Sequence, residues 1–550
     1  MHTLDTLQSR YLSGRTAFYP NAAAAAGLHQ FDGGLTDLSV GAVEPRVAEL
    51  QALALALAAL PPPPFDSADY LVHQGLQAAI GEERYRFETR RVHRTDPLAF
   101  TRHLSVGAYA QRHYAPWPER AQGLCAHLES IPQAAGAILA QLEPSLPRPW
   151  LDTAIEVWGG MASFYRGELT RLVRAEGSAT PEVAPELGPR LHKAIEAAAT
   201  ALDNVTEAFQ VEFIPRAHNR FALGARDFMA MLEASELVPS TLDRLEAVAR
   251  ADLEHNLCSL RERLAQWKPG VPEREVIAEL FSDHPAASDL VETTAEITET
   301  VRHWVEETGF VRLPSPERCQ VTETPEFMRW AVAAMNTPGA FEQVATESYY
   351  YVTPVDPKWS PDQQEEWLSQ FAIPTLHIIS LHEAYPGHYV QHLHAQECKS
   401  PLAGHVGSYA FTEGWAHYVE EAALDYGYGD GDPGLRVVQL VEALIRNCRF
   451  LCAIGMHTRG MSVDDATNFF RQNAFLGELP ARKEAQRGTF DPGYGNYTLG
   501  KLMVRRLRSD LDTRGPLAPA EFHDRLLAHG RPPLPALRAH LLGRTEGPLV

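Results

Sequence analysis

The chain has 550 residues, a formal net charge of −21, 45% hydrophobic residues and 22% charged ones, the proportions of a globular protein large enough for one core or two lobes. No apolar run reaches the roughly 18–20 residues that a bilayer span needs, so a membrane partner is not expected. The acidity, with no long Lys/Arg cluster to offset it, argues against nucleic acid and anionic lipid as partners.

Residues 1–18 lack a basic segment followed by an apolar core, so a cytoplasmic setting is expected. Six cysteines, none in C-x-x-C spacing, agree with a reducing compartment and against a cysteine zinc site. Cys448 and Cys452 read as small buried hydrophobes four apart on a helix. The alanine run 22–26 reads as a helical or turn segment. Apolar residues at three- and four-residue spacing predict helices over 46–60, 151–175, 186–213, 241–267 and 435–454, giving a mainly α chain. The four prolines 61–64 end the first of these and form a stiff connector, and 267–272 and 313–325 are further joints. The expectation is a single large helical domain over 1–550, open to division into two lobes, with 1–330 as helical scaffold and 331–550 as the catalytic portion.

The segment 347–353, E-S-Y-Y-Y-V-T, is aromatic and β-branched and stops at Pro354, which predicts a strand. It could be an edge on which an extended peptide lies, with Tyr350 as a candidate substrate-binding residue; a packed aromatic strand is the alternative.

The chemistry concentrates in 376–396, where His382 and Glu383 are adjacent and His388 follows six residues after His382. A hydrolytic zinc site needs three imidazole or carboxylate donors and a fourth position open to water. On an ideal helix a spacing of six turns the two histidines about 120° apart. Pro386 and Gly387 lie between them and allow a bulge that returns His388 to His382, an insertion in the helix rather than its end. In 411–421, F-T-E-G-W-A-H-Y-V-E-E, Glu413, His417 and Glu420 share a helical face among bulky apolar residues. Glu413 is the expected third ligand, with His417 or Glu420 as outer partners. Gly414 suits a helix or metal that must approach closely. His392 and His394 read as outer-sphere or surface histidines, with His392 a substitute ligand.

The pairing of H-E…G-H with a helix-borne glutamate 25 residues on resembles the helical zinc peptidases of the thimet oligopeptidase and carboxypeptidase Taq type. More closely, H-E-A-Y-P-G-H-Y-V-Q with E-G-W-A-H-Y-V-E resembles a bacterial family of unknown function grouped with zincin-like metallopeptidases. The likeness extends to G-L-H-Q-F-D within 18–37 and to G-M-H-T-R-G within 449–460. Ala453 stands where that family has Asp, and 491–501 is one residue shorter than its P-G-Q-A block and lacks the Gln. The resemblance implies a large zincin-like helical fold with a small β-element lining the cleft.

Glu383 is then the general base for a water on one Zn2+ ion, and Tyr497 or His457 the donor to the tetrahedral oxyanion. Lys501, Arg505 and Arg506 either bind a substrate carboxylate or form a solvated helix face. The leading expectation is a zinc peptidase, a carboxypeptidase or oligopeptidase, acting on a peptide or a small amide or ester. Two alternatives stay open, a non-haem iron enzyme with a two-histidine, one-carboxylate site, and a non-catalytic metal-binding scaffold. Oligomeric state is not legible.

Overall fold

Helical periodicity governs nearly the whole chain, and the computed structural model describes residues 3–179, 187–325, 329, 332–545 and 547–550. The expected helices appear as Val40–Ala58, Arg148–Phe164 continued by a π-helical turn into Thr170–Ala179, Leu187–Ala208, Leu242–Trp267 and Pro433–Thr458. The expected start at residue 186 lies outside the described residues, as does the 330–331 division. Thr241 caps its helix by accepting from the Arg244 amide. Part of the alanine run forms the short helix Pro20–Ala25. No described helix is long and apolar enough to cross a membrane.

The chain divides into two compact units. One comprises the residues up to Pro62, Ala79–Phe221 and Pro338–Thr346. Its core includes Leu128, Trp158, Tyr165 and Phe209, all fully buried, and the polar tips are satisfied: Trp158 Nε1 donates to the Pro97 carbonyl at 3.0 Å and Tyr165 Oη to that of Leu104 at 2.6 Å. Buried Glu83 accepts from Tyr11 and Arg46.

The other unit comprises Pro63–Ala78, Ala222–Thr337 and Glu347–Val550. Here Leu242–Trp267 packs on Pro433–Thr458, and Tyr409–Asp425 on Asn496–Asp512. Its sheet has strands β1 (Gln320–Glu323), β2 (Ala333–Asn336) and β3 (Tyr349–Val352) in the order β1-β3-β2, with β1 parallel and β2 antiparallel to β3. This corrects the edge-strand expectation for 347–353. β3 is central because its residues are apolar or aromatic and Tyr350–Val352 are buried, and the edges fall to β1 and β2. Tyr350 is fully buried with its hydroxyl 3.4 Å from Ser380 Oγ, so it is a core residue rather than a substrate contact.

Candidate metal centre

The helix Ile373–Glu383 carries Pro374 in its first turn, where a missing amide costs nothing, and ends at Glu383. A second helix, His388–Glu397, begins immediately after Gly387. The Pro-Gly segment is therefore a break between two helices, which corrects the expected insertion within one. Proline cannot continue the hydrogen-bond ladder, and the Gly387 backbone lies so close to the His382 carbonyl that a Cβ there would overlap it. The turn is held from the third helix, Tyr409–Asp425, where fully buried Trp415 donates through Nε1 to the carbonyls of Pro386 and Gly387 at 3.0 and 3.3 Å.

That third helix is itself fixed in its N-terminal half. Ser408 caps it through the Phe411 amide at 2.9 Å, and the Glu236 carboxylate accepts from the Tyr409 and Ala410 amides at 3.0 and 3.2 Å. Gly414 faces the Gly500 backbone at a distance that no side chain could occupy, and a Cβ on Gly500 would overlap the Ala410 carbonyl. The close approach read from Gly414 is thus to a helix, Asn496–Asp512.

The break and the glycine contact bring His382, His388 and Glu413 together, with one potential ligand atom from each all within 4.8 Å of one another. Glu413 Oε2 lies 3.6 Å from His382 Nε2 and 3.5 Å from His388 Nε2. These separations are too long for good hydrogen bonds, and they match the edge of about 3.4 Å expected of a tetrahedron with ligands about 2.1 Å from its centre. The imidazole rings stand at 89° with centroids 4.8 Å apart. Glu413 Oε2 is buried and has no hydrogen-bond partner, an arrangement that costs free energy unless a cation compensates it. The donor set fits a single divalent ion. Burial alone would raise the Glu413 carboxyl, but the facing His388 and His382 hold it well below the usual carboxylate range.

Behind His382, Nδ1 meets Glu420 Oε1 at 2.6 Å. The carboxylate side is an acceptor only, so Nδ1 donates to it and Nε2 is left facing Glu413 as the atom that would hold a metal. Burial would lower the His382 pKa, yet Glu413 and Glu420 raise it to about 9 in the metal-free protein. Glu420 is fully buried and also meets Arg446 Nη2 at 3.1 Å and His417 Nδ1 at 3.3 Å. Of the two expected outer partners, Glu420 touches a ligand and His417 acts one contact further out. Burial and the nearby Lys501 depress His417 to about 4, so it is neutral.

Glu383 is half-buried, and its Oε2 accepts from the Met335 amide of β2 at 2.8 Å. The Tyr497 ring stacks on His382 at 16° with centroids 6.5 Å apart; burial raises its phenol. Other expected residues lie elsewhere. His457 is buried and commits Nε2 to the Gly488 carbonyl at 2.7 Å; it is eleven residues past Arg446, about 16 Å along the same helix, so the oxyanion role is withdrawn. Lys501 is fully buried against Asp252 and Glu421 at 3.2 and 3.4 Å. Arg505 pairs with Glu421 at 3.0 Å. Both are thus committed to acidic partners outside the His382, His388 and Glu413 group. His394 is buried on the Arg312 carbonyl at 3.0 Å, and His392 is outside the ligand group.

Sequence reasoning missed Arg446, Arg449, Tyr409 and Arg487. The first two had a signal: arginines three apart in an otherwise apolar helix must be paired inside. Tyr409 and Arg487 come from separate helices and had none. The Met335 contact is made by backbone and leaves no trace in residue type.

The chain matches, over residues 20–541, the model of a family described as bacterial protein of unknown function, DUF885. The solved structure of a candidate lipoprotein of unknown function from Shewanella oneidensis aligns with a TM-score of 0.79 at 20% identity, covering 98% of this chain and 100% of that one. A candidate lipoprotein from Colwellia psychrerythraea aligns with a TM-score of 0.81 at 17% identity, covering 98% of each. At these identities the likeness concerns the fold. No curated protein matches the chain.

Proposed function

Since the chain belongs to this bacterial family of unknown function, we propose that it is a zincin-like, zinc-dependent metallohydrolase acting on peptides or small amide or ester substrates. The observation that carries the reading is the buried Glu413 oxygen, without a hydrogen bond, facing two histidine nitrogens. Glu383 stands in the adjacent sequence position with one oxygen anchored on a strand amide. When bound by His382, His388 and Glu413, a zinc ion supplies a Lewis-acidic centre at which water ionises near pH 7.

The chain's own groups do the rest. Met335 fixes Glu383 Oε2, leaving Oε1 to accept the proton of the attacking water and pass it to the leaving amine. Tyr497, beside His382, donates its phenolic proton as a hydrogen bond to the oxygen that gains charge. Glu420 keeps the His382 ring oriented throughout.

Replacing Glu383 with Gln keeps the shape and removes the base. E383Q is expected to retain stoichiometric zinc while peptide cleavage falls by at least about a thousandfold; undiminished turnover would remove Glu383 from the mechanism. Metal analysis of protein purified without chelator separates this reading from an iron enzyme, and a metal-loaded protein that cleaves no peptide or ester is the scaffold. Cell fractionation decides between the cytoplasmic setting read from the sequence and an envelope setting, which the description of both solved neighbours as lipoproteins favours.

A further inference from the structure

With Lys501 and Arg505 engaged elsewhere, a different cation stands beside the ligands. Arg487, on the helix Glu478–Phe490, places its guanidinium carbon 5.9 Å from the centroid of the Tyr497 ring, which in turn stacks on His382. One aromatic ring separates this positive charge from a metal ligand. Its Nε and Nη2 contact Asp491 Oδ2 at 3.1 and 3.0 Å, and Nη2 also donates to Tyr409 Oη at 3.2 Å. These bonds fix one edge of the guanidinium and leave Nη1 without an anionic partner. The Tyr409 hydroxyl accepts from Arg487 and so keeps its own proton for a second acceptor.

The neighbouring arginines are placed differently. Arg446 divides itself between Glu420 and Glu442, and Arg449 is forked on Glu484 at 2.8 and 2.7 Å. Their side chains are 10% and 14% exposed, whereas that of Arg487 is 32% exposed. A carboxylate approaching the ligands would meet Glu383 and Glu413 as repulsive charges and needs a cation to hold it, and of these three arginines Arg487, which also reaches the Tyr497 side chain, is the most accessible.

The geometry points to Arg487 as the residue that binds the free α-carboxylate of a peptide substrate, with Tyr409 as a second donor. Each extended residue spans about 3.3–3.6 Å, so a site one ring beyond His382 suits a carboxylate one or two residues past the scissile carbonyl. The substrates are then peptides cut close to their C-terminus, an assignment that rests on the hydrolase reading above.

The test uses one short peptide with a free C-terminus and the same peptide as its C-terminal amide. Binding is measured by calorimetry in zinc-loaded E383Q, where turnover is blocked, and cleavage is measured in the wild-type background. The amide is expected to bind E383Q about 10- to 100-fold more weakly than the acid. Adding R487Q should weaken the acid by the same factor and leave the amide unchanged, while R487K, which keeps the charge, restores part of the loss. In the wild-type background R487Q should raise KM for the acid and spare the amide. Equal binding of acid and amide to E383Q, or equal weakening of both by R487Q, overturns the assignment. If the wild type cleaves neither peptide while the acid still binds through Arg487, the hydrolase reading fails and the carboxylate site stands.

Discussion

At Glu420 a single buried carboxylate answers three groups, the Nδ1 proton of His382, the Arg446 guanidinium and His417. E420Q keeps its volume and removes its charge, so the His382 Nδ1 proton meets a neutral amide in place of a carboxylate. Zinc Kd is expected to rise about 10- to 100-fold, read by competition with a chromophoric chelator; an unchanged Kd would show that Glu420 does not orient the ligand. Without metal, Glu413 and Glu420 keep the His382 proton on up to about pH 9, and zinc must displace it. Affinity should therefore climb with pH and level off above about 9. The grouping of His382, His388 and Glu413 was legible because few residue types can serve a metal, and their side-chain chemistry survives any fold. Arg487 and Tyr409 were not, because an arginine on one helix and a tyrosine on another have no fixed spacing.

Between residue and element stands the break after Glu383. Its glycine is required by backbone packing against the His382 carbonyl. G387A is expected to destabilise the protein by about 3 kcal/mol, since neither backbone can give way, and to abolish zinc binding. G136A is the control: Gly136 is exposed in the helix Trp117–Gln141 with open space around it, and there Ala should stabilise by about 0.5–1 kcal/mol. Urea unfolding of the two variants measures the contrast, and equal small effects would refute the packing argument. From the sequence, Pro-Gly signalled a distortion without saying whether one helix bulges or two meet, because both outcomes satisfy the same local constraints. Likewise the Tyr-rich strand was legible as a strand, whereas its central position depends on β1 and β2, short segments with weak patterns of their own.

Over the whole molecule, the unit formed by Pro63–Ala78, Ala222–Thr337 and Glu347–Val550 contains all three ligands, Glu383 and Tyr497. Zinc at about a thousand times its Kd should stabilise that unit by about 4 kcal/mol. Scanning calorimetry is expected to show its transition move up with zinc and down with chelator while the transition of the other unit stays put; H382A should abolish the response. Helical class was readable from periodicity, but the units were not: Pro63–Ala78 and Pro338–Thr346 each belong with residues far away in the chain, and such returns leave no local mark. One contact also bears on how copies of the protein behave toward each other. The Thr353 amide bonds to the Val332 carbonyl, which sets the β2 ladder so that the Met335 amide points to the open side of the sheet, where Glu383 receives it. The carboxylate assigned to proton transfer thereby stoppers a sticky strand margin with negative charge, so trimming it to alanine should leave a molecule prone to self-association as well as inert.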